Sequence, residues 1–258
     1  MRKRRGQVID GLLLVDKPVD WSSNQVLQRV KRIVDAQKAG HTGTLDPFAT
    51  GLLICCFGKA TKLAGQMLDA DKQYIATLKF GQETDSGDRT GVVTVDLGDD
   101  FPAPTEEQMR DVFQQFLGTI KQVPPMTSAL KHKGKPLYEY ARKGIDIERP
   151  PREVTIHRLE LLETDGRTAK ISVDCSKGTY VRTLAQDIGR ALGVKAHLVE
   201  LKRTRIGPFQ LDGAWALAKL ESLDQSTDAV LALDQLPQPF RLPSADLSSP
   251  ASPSLLSN

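Results

Sequence analysis

One carboxylate of this chain lies in a segment whose composition would hold it in a fixed position. Asp46 stands within residues 40–51 (GHTGTLDPFATG), where the following Pro47 favours an extended backbone at Asp46. Three glycines in the same stretch permit sharp turns or the close approach of another backbone. A loop Asp most often forms a turn or caps a helix, but a carboxylate held in place can also act as a covalent nucleophile.

Other kinds of catalytic site are not supported by the residue patterns. Residues 85–87 (DSG) match the aspartic-protease triplet, but that chemistry needs a second such carboxylate, and the chain has no second triplet. Six apolar residues separate Gly51 from Gly58, where a phosphate-binding loop has four. The zinc deaminase motifs are absent, and the three cysteines form no C-x-x-C pair, so we expect reduced, non-catalytic thiols and no metal.

The segment around Asp46 is one of five that together resemble a single family. Residues 40–47 resemble the catalytic loop of bacterial tRNA pseudouridine-55 synthases, the TruB family. The other segments follow in the family's order and are residues 14–18 with 21–23 (LVDKP, WSS), 72–74 with 84–88 (KQY, TDSGD), 124–131 with 137–142 (PPMTSALK, LYEYAR), and 175–184 with 187–189 and 201–204 (CSKGTYVRTL, DIG, LKRT). Each segment is a weak signal by itself, but the ordered set is very specific.

The resemblance implies an isomerase that converts uridine 55 in the T loop of tRNA into pseudouridine without a cofactor. This reaction breaks the N–C glycosidic bond and rejoins the base through carbon, and it needs no redox step, phosphate transfer or metal. Asp46 would supply covalent catalysis, either by adding to the ring or by trapping the sugar carbon, and both routes stay open. Arg182 matches the family arginine that lowers the pKa of this carboxyl group by its charge and a bidentate hydrogen bond.

A uridine stacked in the T loop has to be flipped out before a carboxylate can reach it. The resemblance implies that Tyr74 stacks on the base and is a candidate to shuttle its proton. Tyr180 and Leu201 match residues that line the same pocket, and His41 matches a histidine that fills the space vacated by the base. Lys17 is assigned to substrate binding, as a support for either the RNA backbone or the loop.

The composition is that of a globular protein with an uneven distribution of charge. The 258 residues are 40% hydrophobic and 26% charged, and no apolar run reaches the roughly 20 residues that span a bilayer. Residues 209–258 hold two basic and six acidic residues, which leaves 33 of the 35 basic and 26 of the 32 acidic ones in residues 1–208, a net charge of +7. The basic excess is clustered at residues 2–5, 131–135, 142–143 and 202–205. Such runs are either solvated faces or, since His132, Tyr138, Tyr140 and His197 are interleaved with them, a nucleic-acid surface. The basic start lacks the apolar region of a signal peptide, so we expect a cytoplasmic protein.

The elements that must position these residues are a mixture of strands and helices. We predict strands at 11–15, 52–57 and 199–206, a strand at 72–81 that pairs with 91–95, and a hairpin of 153–164 with 168–175. Helices are predicted after Ser22 or Ser23, at 61–69, from a Thr105–Gln108 capping box to Gly118, at 137–143 and at 180–192. This order is not a regular βαβ repeat, so the predicted fold class is α+β. With the resemblance, it becomes the mixed, largely antiparallel β-sheet of pseudouridine synthases with flanking helices and an RNA-gripping insertion.

Composition and resemblance together divide the chain into three parts. We expect a pseudouridine synthase catalytic domain at 1–208 with an RNA-gripping insertion at about 121–152, and a vestigial C-terminal segment at 209–240. Residues 241–258 contain six serines and three prolines and are predicted to be disordered. The expected partner is the T stem-loop of tRNA, bound by a monomer without an obligatory protein partner or a membrane. The alternative is a non-catalytic tRNA-binding or tRNA-folding protein on the same scaffold, and the intact set of Asp46, Tyr74 and Arg182 favours the enzyme.

Overall fold

The computed structural model describes residues 6–240 of the chain. The strands are β1 (Gly11–Lys17), β2 (Ala39–Thr42), β3 (Thr50–Phe57), β4 (Lys72–Phe80), β5 (Gln82–Thr84), β6 (Val93–Asp96), β7 (Gly118–Gln122), β8 (Lys131–His132), β9 (Lys135–Pro136), β10 (Arg152–Thr164), β11 (Thr168–Cys175), β12 (Ala196–Ile206), β13 (Phe209–Gln210), β14 (Trp215–Ala216) and β15 (Leu231–Ala232). The α-helices are α1 (Ser23–Ile33), α2 (Ala64–Asp69), α3 (Glu106–Phe116), α4 (Leu137–Ala141), α5 (Val181–Ala191) and α6 (Leu217–Glu221). The disorder predicted for 241–258 and the basic cluster at 2–5 fall outside the described residues. Within 6–240, no helix combines the length and the apolar character needed to cross a membrane.

One large sheet forms the framework of the molecule. It has eleven strands with the main order β14-β1-β3-β12-β4-β11-β10-β7, and β2, β13 and β15 pair at its margins. Its paired strands are antiparallel except for β1 with β14 and β3 with β12. The predicted α+β class with a mixed, largely antiparallel sheet is therefore confirmed.

The core follows from the apolar faces that the sequence predicts. Leu78 and Ile171 of the central strands are buried in one cluster with Phe113 of α3 and with Leu184 and Ile188 of α5. The strands predicted at 11–15, 52–57, 72–81 and 199–206 are confirmed, as are the hairpin of β10 with β11 and the helix that begins after Tyr180.

Two serines at the N-terminus of α1 have different roles, one in capping the helix and one in holding the loop that carries Asp46. Ser22 is the cap: its Oγ accepts from the Gln25 N–H at 3.2 Å, and the Gln25 side chain accepts from the Ser22 N–H at 2.8 Å. Ser23 is buried and has another role. Its Oγ accepts from the Leu45 N–H at 2.8 Å and donates to the Leu45 carbonyl at 3.0 Å, so α1 holds the residue before Asp46.

The pairing predicted for residues 91–95 is wrong. β6 pairs with β5 and not with β4. β4 is bonded along one edge to β11 and along the other to β12, so no edge of it is left for a third strand. Gly81, at φ +89°, turns the chain out of the large sheet, and residues 82–96 form their own two-stranded hairpin.

Two segments flank the central sheet at opposite margins. Gln122 of β7 stands opposite Arg152 of β10, so residues 123–151 leave the sheet and return to the neighbouring strand. This stretch, here called the excursion, contains β8, β9 and α4. At the other margin β14 and β15 pair with β1, and Leu220 and Leu236 of the same segment are fully buried.

Candidate active site

A cavity of about 520 Å³ opens beside the middle of the large sheet. Its walls come from the loop between β2 and β3 (the Asp46 loop, residues 43–49), from β4 and β12, and from the chain that leads from β11 into α5. The excursion closes one side through Ser128, Ala129 and Leu130. The cavity thus brings together parts of the chain that are more than 100 residues apart.

The Asp46 loop is held from within the core and from the side. Leu45 and Phe48 are buried in the cluster that α5 covers, so the residues on either side of Asp46 and Pro47 are fixed by packing. The Pro47 carbonyl accepts from the Asp20 N–H at 2.8 Å and from Lys17 Nζ at 3.1 Å. These contacts leave the Asp46 side chain directed to the cavity with 31% of its surface exposed.

Arg182 contacts both oxygens of the Asp46 carboxylate. Its Nε lies 2.9 Å from Oδ2 and its Nη2 donates to Oδ1 at 3.3 Å. The Arg182 side chain is only 4% exposed and projects from the first turn of α5. The predicted bidentate pair is therefore present in the structure, although the catalytic roles of its two members stay predictions.

The remaining donors of Arg182 are also used. Nη1 donates to the Ser86 carbonyl at 2.9 Å and to Thr127 Oγ1, and Nη2 donates to the Thr127 carbonyl at 3.2 Å. Asp88 Oδ2 lies 3.6 Å from Nη1, and this second carboxylate is as deeply buried as the arginine. Arg182 therefore sits between two carboxylates. The sequence offered Asp88 only as part of the matching segment 84–88.

Burial and the arginine act on the Asp46 carboxyl in opposite directions. Removal from water raises the pKa of Asp46, and Asp88 adds to this, whereas the Arg182 guanidinium and the Lys17 ammonium lower it. The net direction is upward. Arg182 thus lowers the pKa as predicted, but burial has the larger effect.

Tyr74, Tyr180 and Leu201 form the walls of the cavity, as the sequence predicts. Tyr180 precedes α5, and the Gln122 side chain fixes its backbone by accepting from its N–H at 3.0 Å and donating to its carbonyl at 3.3 Å. Burial raises the pKa of both tyrosines, so each presents a neutral phenol. Leu201 of β12 is 7% exposed and supplies an apolar surface.

Lys17 and His41 lie outside the wall of the cavity. Lys17 is completely buried and donates to the carbonyls of Pro18 at 2.9 Å, Trp21 at 2.6 Å and Pro47 at 3.1 Å. With its three protons engaged and its side chain buried, Lys17 supports the loop in this structure, which is one of its two predicted roles, and its assignment to substrate binding stays a prediction. His41 is half-buried on β2, and its Nδ1 has no hydrogen-bond partner among the described residues. Burial and nearby Arg203 lower the pKa of His41, which leaves a neutral imidazole.

Arg203 was missed as a site residue by the sequence reasoning. It is 1% exposed, lines the cavity, and donates from Nε to the Leu52 carbonyl at 2.8 Å and from Nη2 to the Gly43 carbonyl at 3.0 Å. Its positive charge lowers the pKa of Tyr74 against the larger effect of burial, and the charge of Asp46 raises the pKa of Arg203 itself. The available signal was its position two residues after Leu201, which places both side chains on one face of β12.

Comparison with protein families accounts for nearly all of the described chain. Residues 31–181 match the model of the TruB family pseudouridylate synthase (N terminal domain). Residues 182–241 match that of the tRNA pseudouridylate synthase B C-terminal domain. The protein named tRNA pseudouridine synthase B of Bordetella pertussis is 62% identical over 237 residues, covering 92% of this chain and 97% of that protein. The protein of the same name from Chromohalobacter salexigens is 49% identical over 255 residues, covering 99% of this chain and 82% of that protein.

Solved structures agree with this assignment at lower identity. A chain of a Cbf5-Nop10-Gar1 complex superimposes with a TM-score of 0.69 at 30% identity, over 88% of this chain and 61% of that one. A chain of an H/ACA RNP bound to a substrate RNA containing 2'-deoxyuridine superimposes with a TM-score of 0.64 at 25% identity, over 90% of this chain and 65% of that one. The two family models match successive parts of the chain, and the fold agrees with them, so all three observations indicate the same family.

Proposed function

The chain belongs to the TruB family and is a tRNA pseudouridine synthase, and on that premise we propose that it isomerises uridine 55 in the T loop of tRNA by base flipping and covalent catalysis by Asp46. No cofactor takes part in the proposed reaction. The observation that carries the proposal is the Asp46–Arg182 pair at the wall of a cavity lined by two neutral tyrosines and a leucine.

The cavity supports base flipping by its size and its depth in the protein. Its volume of about 520 Å³ is within the range of small-molecule sites. Asp46 lies beside the buried Arg182 and not on an open surface, so a uridine has to leave its stack to bring C6 or C1′ to the carboxylate. Tyr74 and Leu201 offer the aromatic and apolar surfaces that a flipped base would contact.

Two covalent routes fit this arrangement. In one, an Asp46 oxygen bonds to C6 of the uracil, the N1–C1′ bond breaks, the ring turns, the C5–C1′ bond forms and the adduct breaks down. In the other, the Asp46 oxygen bonds to C1′ as the N1–C1′ bond breaks, and C5 then displaces the carboxylate. In both, the hydrogen of C5 leaves as a proton and N1 gains one, so the reaction is a redox-neutral isomerisation.

The other residues divide between holding Asp46 and holding the base. Arg182 keeps the carboxylate ionised and oriented, and Lys17 and Ser23 keep its loop in place. We assign stacking on the base to Tyr74, with Tyr180 as the facing wall. The neutral Tyr74 phenol is also assigned to relay the C5 proton, its oxygen accepting that proton as its own O–H proton passes on towards N1. His41, neutral and close to the loop, is assigned to the space that the flipped base leaves.

The division of the chain follows the same proposal. Residues 1–208 form the catalytic domain, and the excursion within about 121–152 grips RNA through its exposed lysines at 131, 133 and 135. Residues 209–240 form a C-terminal segment that packs on β1. The enzyme acts as a monomer on the T stem-loop.

Release of tritium from a tRNA transcript labelled at uracil C5 tests the reaction, the position and the carboxylate together. We expect the wild-type protein to release one tritium per tRNA, and to release none from a transcript with cytidine at position 55. Asp46→Asn should bind tRNA and fold normally but release no tritium. Release from the cytidine transcript would contradict the assignment to position 55, and turnover by Asp46→Asn would contradict covalent catalysis by this carboxylate.

A further inference from the structure

Thr127 contacts the arginine that holds Asp46. It lies near the start of the excursion, where the chain has just left β7. Arg182 Nη1 donates to Thr127 Oγ1, and Arg182 Nη2 donates to the Thr127 carbonyl at 3.2 Å. Thr127 thus accepts from both terminal nitrogens of a guanidinium whose side chain is 4% exposed.

These contacts restrict how the guanidinium can lie. The plane of Arg182 is fixed on one side by Asp46, through Nε and Nη2, and on the other by the Ser86 carbonyl and Thr127. A planar fork can present two donors to a carboxylate only if its orientation is set. Removing the Thr127 hydroxyl leaves Nη1 with the Ser86 carbonyl and with Asp88 at 3.6 Å, an ion pair that would draw the fork away from Asp46.

We propose that Thr127 is a positioning residue for the reaction: its hydroxyl aligns Arg182 with Asp46 and thereby links the RNA-facing excursion to the catalytic carboxylate. This inference rests on the proposed role of Asp46. It assigns a function to a side chain that lines a second cavity together with Pro124, Pro125 and Thr183. Ser128 and Leu130, which follow Thr127 directly in the chain, line the catalytic cavity.

The side-chain hydroxyl can be tested apart from the backbone contact. Thr127→Val keeps the shape and removes the hydroxyl, whereas Thr127→Ser keeps the hydroxyl. Thr94→Val is the matched control, because Thr94 lines the same second cavity but donates to the Glu83 carbonyl at 3.1 Å and is exposed. A hydrogen bond to a charged group is strong enough that its loss should lower kcat about tenfold or more.

We expect Thr127→Val to lower kcat about tenfold with KM for tRNA within about twofold, and Thr127→Ser and Thr94→Val to retain wild-type rates. The acid limb of the pH–rate profile should move to higher pH in Thr127→Val alone, because a misaligned Arg182 stabilises the Asp46 carboxylate less. An unchanged kcat and acid limb in Thr127→Val would overturn the inference. The inference would also be overturned if Thr127→Val lost rate together with a lower Tm and Thr127→Ser did not retain the wild-type rate. Asp46→Asn is assayed in parallel, because its turnover would contradict the proposed function whatever Thr127 does.

Discussion

At the scale of single residues, the protonation state of the Asp46 carboxyl group is set by two opposing influences, its burial and its contact with Arg182. The loop and the cavity wall withdraw it from water, which favours the protonated form that cannot act as a nucleophile. Arg182 contacts both oxygens and favours the ionised form. Asp88 lies on the far side of the same guanidinium and competes for it. The proposed reaction therefore depends on the orientation of one arginine as much as on the carboxylate itself.

The first prediction is a shifted acid limb in the rate of the chemical step. Because burial outweighs Arg182 and the net shift is upward, the half-maximal rate should fall at a pH above 3.8, the ordinary value for Asp. The rate is lost as pH falls through this pKa, since protonation removes the nucleophile. Single-turnover tritium release across the acid range would measure the limb.

Two variants sharpen this measurement. Arg182→Lys keeps the charge but loses the bidentate fork, so its limb should lie at higher pH than in the wild type. Arg190→Gln, on the same helix but paired with Glu83 and Asp187, should leave the limb in place. A limb at or below the ordinary Asp value would show that Arg182 dominates over burial.

At the scale of elements, one arginine joins three parts of the site. Arg203 stands opposite Gly51 on β3 and opposite Tyr74 on β4, because β12 lies between these two strands. Its guanidinium donates hydrogen bonds to the carbonyl of Gly43, the first residue of the Asp46 loop, and to the carbonyl of Leu52, on β3 just after that loop. Gly51, at φ +98°, lets the backbones of β3 and β12 approach so closely that an added Cβ would lie 2.3 Å from the Arg203 carbonyl oxygen.

The second prediction compares Arg203→Met with Arg205→Met on the same strand. Arg203→Met removes the side-chain donor from the buried Leu52 carbonyl and from the part-buried Gly43 carbonyl, at a cost of about 1–3 kcal/mol in unfolding free energy, and it loosens the Asp46 loop. Arg205 pairs with Asp174 but keeps 26% of its side chain exposed, so its replacement should cost less than that of Arg203. Urea unfolding and single-turnover tritium release would measure both. Equal losses of stability and rate in the two variants would contradict a special role for Arg203.

The sequence predicts those parts of this architecture that depend on local patterns. The Thr105–Gln108 capping box, the alternation in β4 and the turn at 165–166 each involve residues close in the chain, and all are present. Edge availability is not local, which is why the partner of residues 91–95 was predicted wrongly. The sequence left open whether Lys17 supports the RNA backbone or the loop, because the three carbonyls to which it donates are brought together only by folding.

At the scale of the whole molecule, basic and acidic residues lie at opposite margins of the large sheet. The catalytic cavity lies at β3, β12 and β4, in the middle of that order. The excursion, with exposed lysines at 131, 133 and 135, extends from the β7–β10 margin. The acidic C-terminal segment pairs with β1 at the other margin. This arrangement favours an approach of RNA from the side of the excursion.

The third prediction is that tRNA affinity depends steeply on salt and that the excursion contributes to the slope. Each phosphate contact releases counterions, so log K should fall linearly with log salt, by about 0.7–0.9 per contact. Lys135→Gln removes one exposed charge of β9 and should reduce the slope by about that amount. Lys219→Gln is the control, because Lys219 lies over the Trp215 ring at the opposite margin and its loss should leave the slope unchanged.

The affinity is measured with the inactive Asp46→Asn protein, which avoids turnover during the titration. A nearly flat titration would exclude binding dominated by phosphates, and an equal change in both lysine variants would mean that the excursion is not the side on which tRNA binds.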